Sequence, residues 1–258
     1  MLLLTREFLS DNVHYVVQPQ CAPDGTITGA ELLARVRLSC YLTLPEILRF
    51  AAIYGMSNVF DRFTIDAAIR ILPTLLKLSP RFNLSINICS SSVDSEPCLS
   101  DYITQKLIEA GIDGRHLTIE ITEHIRDSQI DGLVSFIDGV RAAGCRVVLD
   151  DYLTKGSKWH HLYCLPVDGI KLDCSYITML DESPKGEILV SGVVSTAQSL
   201  GKSITAEGVE HTRQLRKVQK LGISSIQGYQ FYRPMNFESL IELLLWQERQ
   251  RAILPVAA

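Results

Sequence analysis

The sequence lacks the marks of several large classes of protein. It has no basic excess: 25 Lys and Arg stand against 29 Asp and Glu, a formal net charge of -4. A broad, nonspecific nucleic-acid binder carries a basic surface, so no nucleic-acid polymer is expected as a partner. A small anion remains compatible, because a metal ion or a few cations can hold one phosphate. No C-x-x-C pair occurs, and the seven cysteines (Cys21, Cys40, Cys89, Cys98, Cys145, Cys164, Cys174) are scattered and odd in number. That argues against a disulfide framework or a zinc site and fits reduced thiols in a cytoplasmic protein. Long apolar runs are missing too. Met1-Leu2-Leu3-Leu4 is followed at once by Arg6 and Glu7, which leaves no signal-peptide core. Leu243-Leu244-Leu245-Trp246 falls far short of the ~20 residues a membrane span needs, so no membrane insertion is expected. Without an internal repeat, a low-complexity tract or a Pro/Gly/Ser-rich linker, residues 1–258 read as one domain.

What is present is a chain 47% hydrophobic, enough for one large core. Short strand-like runs alternate with helix-like segments throughout. The predicted strands are His14–Gln18, Ala30–Val36, Asn83–Ile88, His116–Ile121, Arg146–Asp150, Gly169–Leu172, Ser203–Ala206 and Ser225–Gly228. Predicted helices cover Pro45–Tyr54, Arg62–Lys77, Asp101–Ala110, Asp131–Ala143, Ile188–Leu200, Thr212–Leu221 and Phe237–Arg249. In Ile188–Leu200, the residues Leu189, Val190, Val193, Val194, Ala197 and Leu200 fall on one face, and Gly201 marks the stop. Ser90–Pro97 reads as a polar loop and Asp181–Lys185 as a charged turn. Eight strands alternating with helices predict an α/β (β/α)8 TIM-like barrel, with a doubly wound open sheet as the alternative.

Strands buried in a barrel should be apolar, yet these carry or end in isolated polar groups: Glu31, Asn87, Glu120, Asp150 with Asp151, Lys171, Glu207 and Gln227. One carboxylate at a strand end is more often a cap or a surface ion pair, and a lone lysine is usually solvated. Here the same kind of residue closes strand after strand, on the face where barrels build active sites. Such carboxylates repel one another unless cations sit among them. With oxygens as the donors and no neighbouring His or Cys pair, Mg²⁺ or Mn²⁺ suits them better than zinc. Two such ions can clamp a phosphate and activate a water. His160 and His161 read as surface residues.

The polar residues also lie in recognisable motifs. Tyr15-Val16-Val17-Gln18-Pro19, followed by Glu31-Leu32-Leu33-Ala34-Arg35, resembles the YxxQP and ExLxxR opening of the EAL family of cyclic-di-GMP phosphodiesterases. In the same order come Ser85-Ile86-Asn87-Ile88, Glu120-Ile121-Thr122-Glu123, Leu149-Asp150-Asp151, Leu165-Pro166-Val167-Asp168-Gly169-Ile170-Lys171-Leu172-Asp173, Ala206-Glu207-Gly208-Val209-Glu210 and Gln227-Gly228-Tyr229 with Pro234. The resemblance spans roughly residues 15–240 and implies a stand-alone EAL domain: a barrel whose first strand is antiparallel to the others, cleaving cyclic-di-GMP to linear pGpG. It implies Glu31, Asn87, Glu120 and Asp150 as metal ligands, with Asp151 on a second ion. Lys171 would stabilise the attacking water and the transition state, and Glu207 would be the base or water-orienting carboxylate. Gln18 and Arg35 would contact the nucleotide, Gln227 would support the metal-water shell, and Glu123 would brace the loop after Asp151.

That loop departs from the family. It reads Asp150-Asp151-Tyr152-Leu153-Thr154-Lys155-Gly156, where the family has D-D-F-G-T-G-Y. Leu153 and Lys155 replace two glycines, in a loop that the resemblance ties to metal loading and to homodimer contacts. Two readings therefore stand: an active metal-dependent phosphodiesterase, or a catalytically silent EAL-like regulator that binds cyclic-di-GMP or a protein partner.

Overall fold

In the structure, a computed structural model, residues 4–122, 125–152 and 159–253 are described. Eight strands close into a barrel in chain order. They are β1 (Val13–Cys21), β2 (Ile27–Val36), β3 (Asn83–Ile88), β4 (Leu117–Ile121), β5 (Arg146–Leu149), β6 (Gly169–Leu172), β7 (Ser203–Glu207) and β8 (Ser225–Gln227). From β2 to β8 every neighbouring pair is parallel, whereas β1 is antiparallel to both β2 and β8. All eight predicted strands are found within three residues of their predicted ends, and the antiparallel first strand is as the resemblance implies.

Around the strands lie α1 (Arg6–Asn12), α2 (Leu44–Ile53), α3 (Ser57–Leu78), α4 (Ser90–Ser95), α5 (Leu99–Ala110), α6 (Ile130–Ala142), α7 (Trp159–Cys164), α8 (Cys174–Glu182), α9 (Pro184–Ser199), α10 (Thr212–Lys220) and α11 (Phe237–Ile253). Side chains alternate across a strand. One set, including Leu84, Ile86, Ile119, Val147, Ile170 and Ile204, joins Ile65, Leu72 and Val190 of the helices in the main core. The other set points into the barrel and carries the polar residues. A second apolar cluster joins Leu4 and Leu9 to Ile47, Ala51 and Phe60, fastening α1 and α2 beside the ends of β1 and β2.

Several expectations are corrected. Ser90–Pro97 is not all loop, because α4 occupies Ser90–Ser95 and buries Ser90, Ser92 and Val93. The charged turn is shorter than Asp181–Lys185: α8 runs to Glu182, and Ser183 then caps α9 by accepting from the Gly186 amide. His161 is buried, while its neighbour His160 is exposed. On α9 only Val190, Val193, Val194 and Ala197 of the predicted face are buried, and Leu189 and Leu200 are exposed.

Candidate active site

Strand register brings the polar residues to one level. Gln18 pairs with Glu31, Asn87 with Glu120, and Glu207 with Gln227. Asp150 follows the last residue of β5, and its amide donates to the Ile121 carbonyl at 2.9 Å. Lys171, the third residue of β6, is thereby surrounded. Its Nζ lies 2.6 Å from Glu120 Oε2, 2.9 Å from Asp150 Oδ1, 2.9 Å from Glu207 Oε1 and 3.3 Å from Glu31 Oε2.

Amides complete the ring. Asn87 Nδ2 donates to Glu31 Oε1 at 2.6 Å, and Gln227 Nε2 donates to Glu31 Oε2 at 2.6 Å. Gln227 also donates to Gln18 Oε1 at 3.4 Å and accepts from Gln20 Nε2 at 3.0 Å. Gln20 is absent from the sequence-based set. Its signal was the strand period: two residues beyond Gln18 on β1, it faces the same way.

Two glycines hold the strand ends in place. Gly208 follows Glu207 with φ +67°, and a Cβ there would lie 2.3 Å from the Cβ of Cys174. Gly228 follows Gln227, and a Cβ there would lie 2.2 Å from the Val209 carbonyl oxygen. Both positions allow backbone to approach where any side chain would collide.

The charges do not balance. Four carboxylates face one ammonium, and all are largely shielded from water. Burial opposes the charge on Lys171, but the pull of Asp150, Glu120, Glu207 and Glu31 outweighs it and raises its pKa well above the ordinary value. Burial also resists ionisation of Glu31, yet Lys171, Gln227 and Asn87 together hold its pKa low. Glu120 goes the other way, raised by burial and by the neighbouring Glu31. Glu207 is pushed up to about 8, chiefly by burial, against the pull of Lys171. A cluster short of positive charge, with oxygen donors, is suited to hard divalent cations. Oxygens of Glu31, Glu120 and Asp150 lie within 4.8 Å of one another, and so do those of Asp150, Asp151 and Glu207. Asp150 belongs to both groups.

Asp151 has φ 45°, the one positive value outside glycine among the described residues, and Asp tolerates this conformation better than most residues. The next residue, Tyr152, is fully buried, and its amide donates to the Lys171 carbonyl at 3.1 Å. Arg35 stands apart from the ring. It lies four residues beyond Glu31 on β2, and its guanidinium donates to the Ala34 carbonyl at 2.8 Å. Glu123, Leu153 and Lys155 lie outside the described residues.

Comparison with known proteins adds to this geometry. The family model described as EAL domain matches residues 3–234. Over 246 residues the chain is 30% identical to the cyclic di-GMP phosphodiesterase NbdA of Pseudomonas aeruginosa, covering 93% of this chain and 31% of NbdA. It is 32% identical over 222 residues to the cyclic di-GMP phosphodiesterase RocR of the same organism, covering 84% of this chain and 56% of RocR. The chain thus spans about a third to about a half of these relatives' lengths. Among solved structures, the PaMucR phosphodiesterase in complex with c-di-GMP aligns with a TM-score of 0.79 at 27% identity, over 90% of this chain and 96% of that one.

Proposed function

The chain belongs to the EAL domain family, and from that premise we propose that it hydrolyses cyclic-di-GMP to linear pGpG. The observation that carries this reading is the pair of carboxylate groups sharing Asp150 around the ammonium of Lys171. Glu31, Asn87, Glu120 and Asp150 would hold one Mg²⁺ or Mn²⁺, and Asp151 with Asp150 and Glu207 a second. Bound there, such ions supply a nucleophilic water at neutral pH and neutralise charge on the phosphate. Lys171 adds a fixed positive charge where the pentavalent transition state gathers negative charge. Glu207, 2.9 Å from the Lys171 ammonium, would be the base or water-orienting carboxylate for the attacking water. Gln227 and Gln20 orient Glu31 through their hydrogen-bond chain. Gln18 and Arg35 at the rim contact the nucleotide, and Glu123 braces the loop after Asp151.

The rest of the reading is a single domain in a reducing, cytoplasmic setting, supported by seven unpaired cysteines. No described helix is long and apolar enough to cross a membrane. A homodimer is part of the proposal, supported by the exposed apolar residues Trp159, Ile188 and Leu189, which with Met179 line a surface groove of about 580 Å³.

The deciding assay incubates the protein with cyclic-di-GMP and Mg²⁺ or Mn²⁺ and looks for pGpG. Glu31→Ala is expected to abolish turnover without loss of the fold, and full activity in excess EDTA would end the metal-dependent reading. Leu153 and Lys155 favour a second reading, a silent regulator that binds the nucleotide or a protein. If the wild type shows no turnover and the double variant Leu153→Gly, Lys155→Gly does not restore it, that second reading replaces the first.

A further inference from the structure

Below the carboxylate ring the barrel is not filled in the usual way. Inward layers of such barrels are mostly bulky branched residues. Here, two residues before the ring positions, β2, β3, β4, β6, β7 and β8 carry Gly29, Ser85, Thr118, Gly169, Thr205 and Ser225. Of these, Gly29, Ser85, Thr118, Thr205 and Ser225 line a cavity of about 320 Å³, walled by Glu120 and Lys171 at one end and by Arg81, Asn83, Arg146 and Ser203 at the N-terminal strand ends. A cavity lined by hydroxyls and charges is wet rather than dry.

Its walls hold three cations, Arg81, Arg146 and Lys171, against one carboxylate, Glu120. Glu120 and Lys171 are already in contact at 2.6 Å. The excess charge is therefore at the mouth. Among the described residues, Arg146 donates to the Ser203 hydroxyl at 2.8 Å, and neither it nor Arg81 has a carboxylate partner. The nearby carboxylate of Asp168 is held by Arg141 at 3.1 Å and accepts from the Val147 amide at 2.9 Å.

We propose that this N-terminal well is a second ligand site, for a small free oxyanion such as inorganic phosphate, held by Arg81, Arg146 and the wall hydroxyls. Guanidinium groups supply charge-assisted donors to such an anion, and Ser225 and Thr205 supply neutral ones, whereas the Ser203 and Thr118 hydroxyls already donate to the Asp168 carbonyl at 3.2 Å and to Asn83 Oδ1 at 2.7 Å. The Lys171–Glu120 pair closes the far end of the well. The site is thus separate from the rim where cyclic-di-GMP is proposed to bind, and it does not depend on that reading.

The test is calorimetric titration of the whole chain with inorganic phosphate in the presence of Mg²⁺, at constant ionic strength. Saturable binding is expected for the wild type and, equally, for Asp150→Asn. Arg146→Gln and Arg81→Gln should each weaken it by about tenfold, as loss of a charge-assisted contact does. Ser225→Val narrows the well without changing its charge and should weaken binding as well. The proposal fails if the wild type binds no phosphate, or if sodium chloride at matched ionic strength gives the same heat. It also fails if Asp150→Asn removes binding while the arginine variants keep it, because the anion then belongs to the metal side.

Discussion

Lys171 shows how much a single side chain can be asked to compensate. It is 2% exposed and in contact with four carboxylates. Removing one partner of a buried ionic cluster typically costs about 3–5 kcal/mol. Lys171→Ala should therefore lower the melting temperature on the order of 10 °C in metal-free buffer. Added Mg²⁺ should restore part of the loss by taking over the neutralisation. An unchanged melting temperature without metal would remove the electrostatic account of the ring. In turnover, Lys171→Ala and Glu207→Ala should lower kcat far more than nucleotide affinity, and proportional losses would contradict the roles given to them. Asp61 supplies a different test. It is buried on α3, accepts from the Cys89 amide at 3.0 Å, and burial pushes its pKa up to about 7. Between about pH 4 and pH 7 the folded chain keeps this proton and the unfolded chain does not, so stability falls as pH rises through that window. Asp61→Asn should flatten the decline in melting temperature between pH 5 and pH 8. Parallel curves for the two proteins would show that Asp61 does not titrate there.

At the scale of elements, the end of β7 is set by the approach of Gly208 to α8. Gly208→Ala would meet Cys174 as well as a positive φ, whereas Gly201→Ala meets only a positive φ, with nothing within 4 Å. Both should lose roughly 1–2 kcal/mol from backbone strain. Only Gly208→Ala should also lower kcat, because the collision displaces the strand end that carries Glu207. Equal kcat losses in the two variants would count against that positioning. The same elements explain what was legible in the sequence. Strands announced themselves because each joins an apolar outer face to a polar residue at its end, as β4 does with Ile119 and Glu120. Short helices did not. In α1 only Leu9 is buried, and α4 reads Ser-Ser-Ser-Val-Asp-Ser, a loop composition that becomes helical because Ser90, Ser92 and Val93 find buried places. On α9 the apolar face looked wider than the buried stripe: Leu189 and Leu200 lie about a quarter turn from its centre. Which of His160 and His161 turns inward depends on how α7 docks, and that is tertiary information. Arg35 lay in its motif, but its guanidinium is bonded to its own strand rather than to the ring.

For the whole molecule, the barrel and its ring were largely readable, because the ring's polar residues stand at or near strand ends and strands order themselves by sequence. The well beneath the ring was not, since a short residue two places before a polar one signifies nothing until eight strands are closed. The apolar groove on α8 and α9 carries the last prediction. If it joins two copies, the wild type should sediment as a dimer and Leu189→Glu as a monomer, whereas a monomeric wild type would dismiss this face as an interface. Distance along the chain gives the ring one further property. The contact from Lys171 to Glu31 joins residues 140 apart, and that from Gln227 to Glu31 joins residues 196 apart. During synthesis at about 5–20 residues per second, Glu31 precedes its counter-charge by roughly 7–30 s. In that interval Asn87 becomes available to donate to its carboxylate, but no ring ammonium does, so N-terminal intermediates hold Glu31 without its counter-charge. The counter-charge therefore arrives with β6, after Glu31, Glu120 and Asp150 have been made and before β7 and β8 can close the barrel.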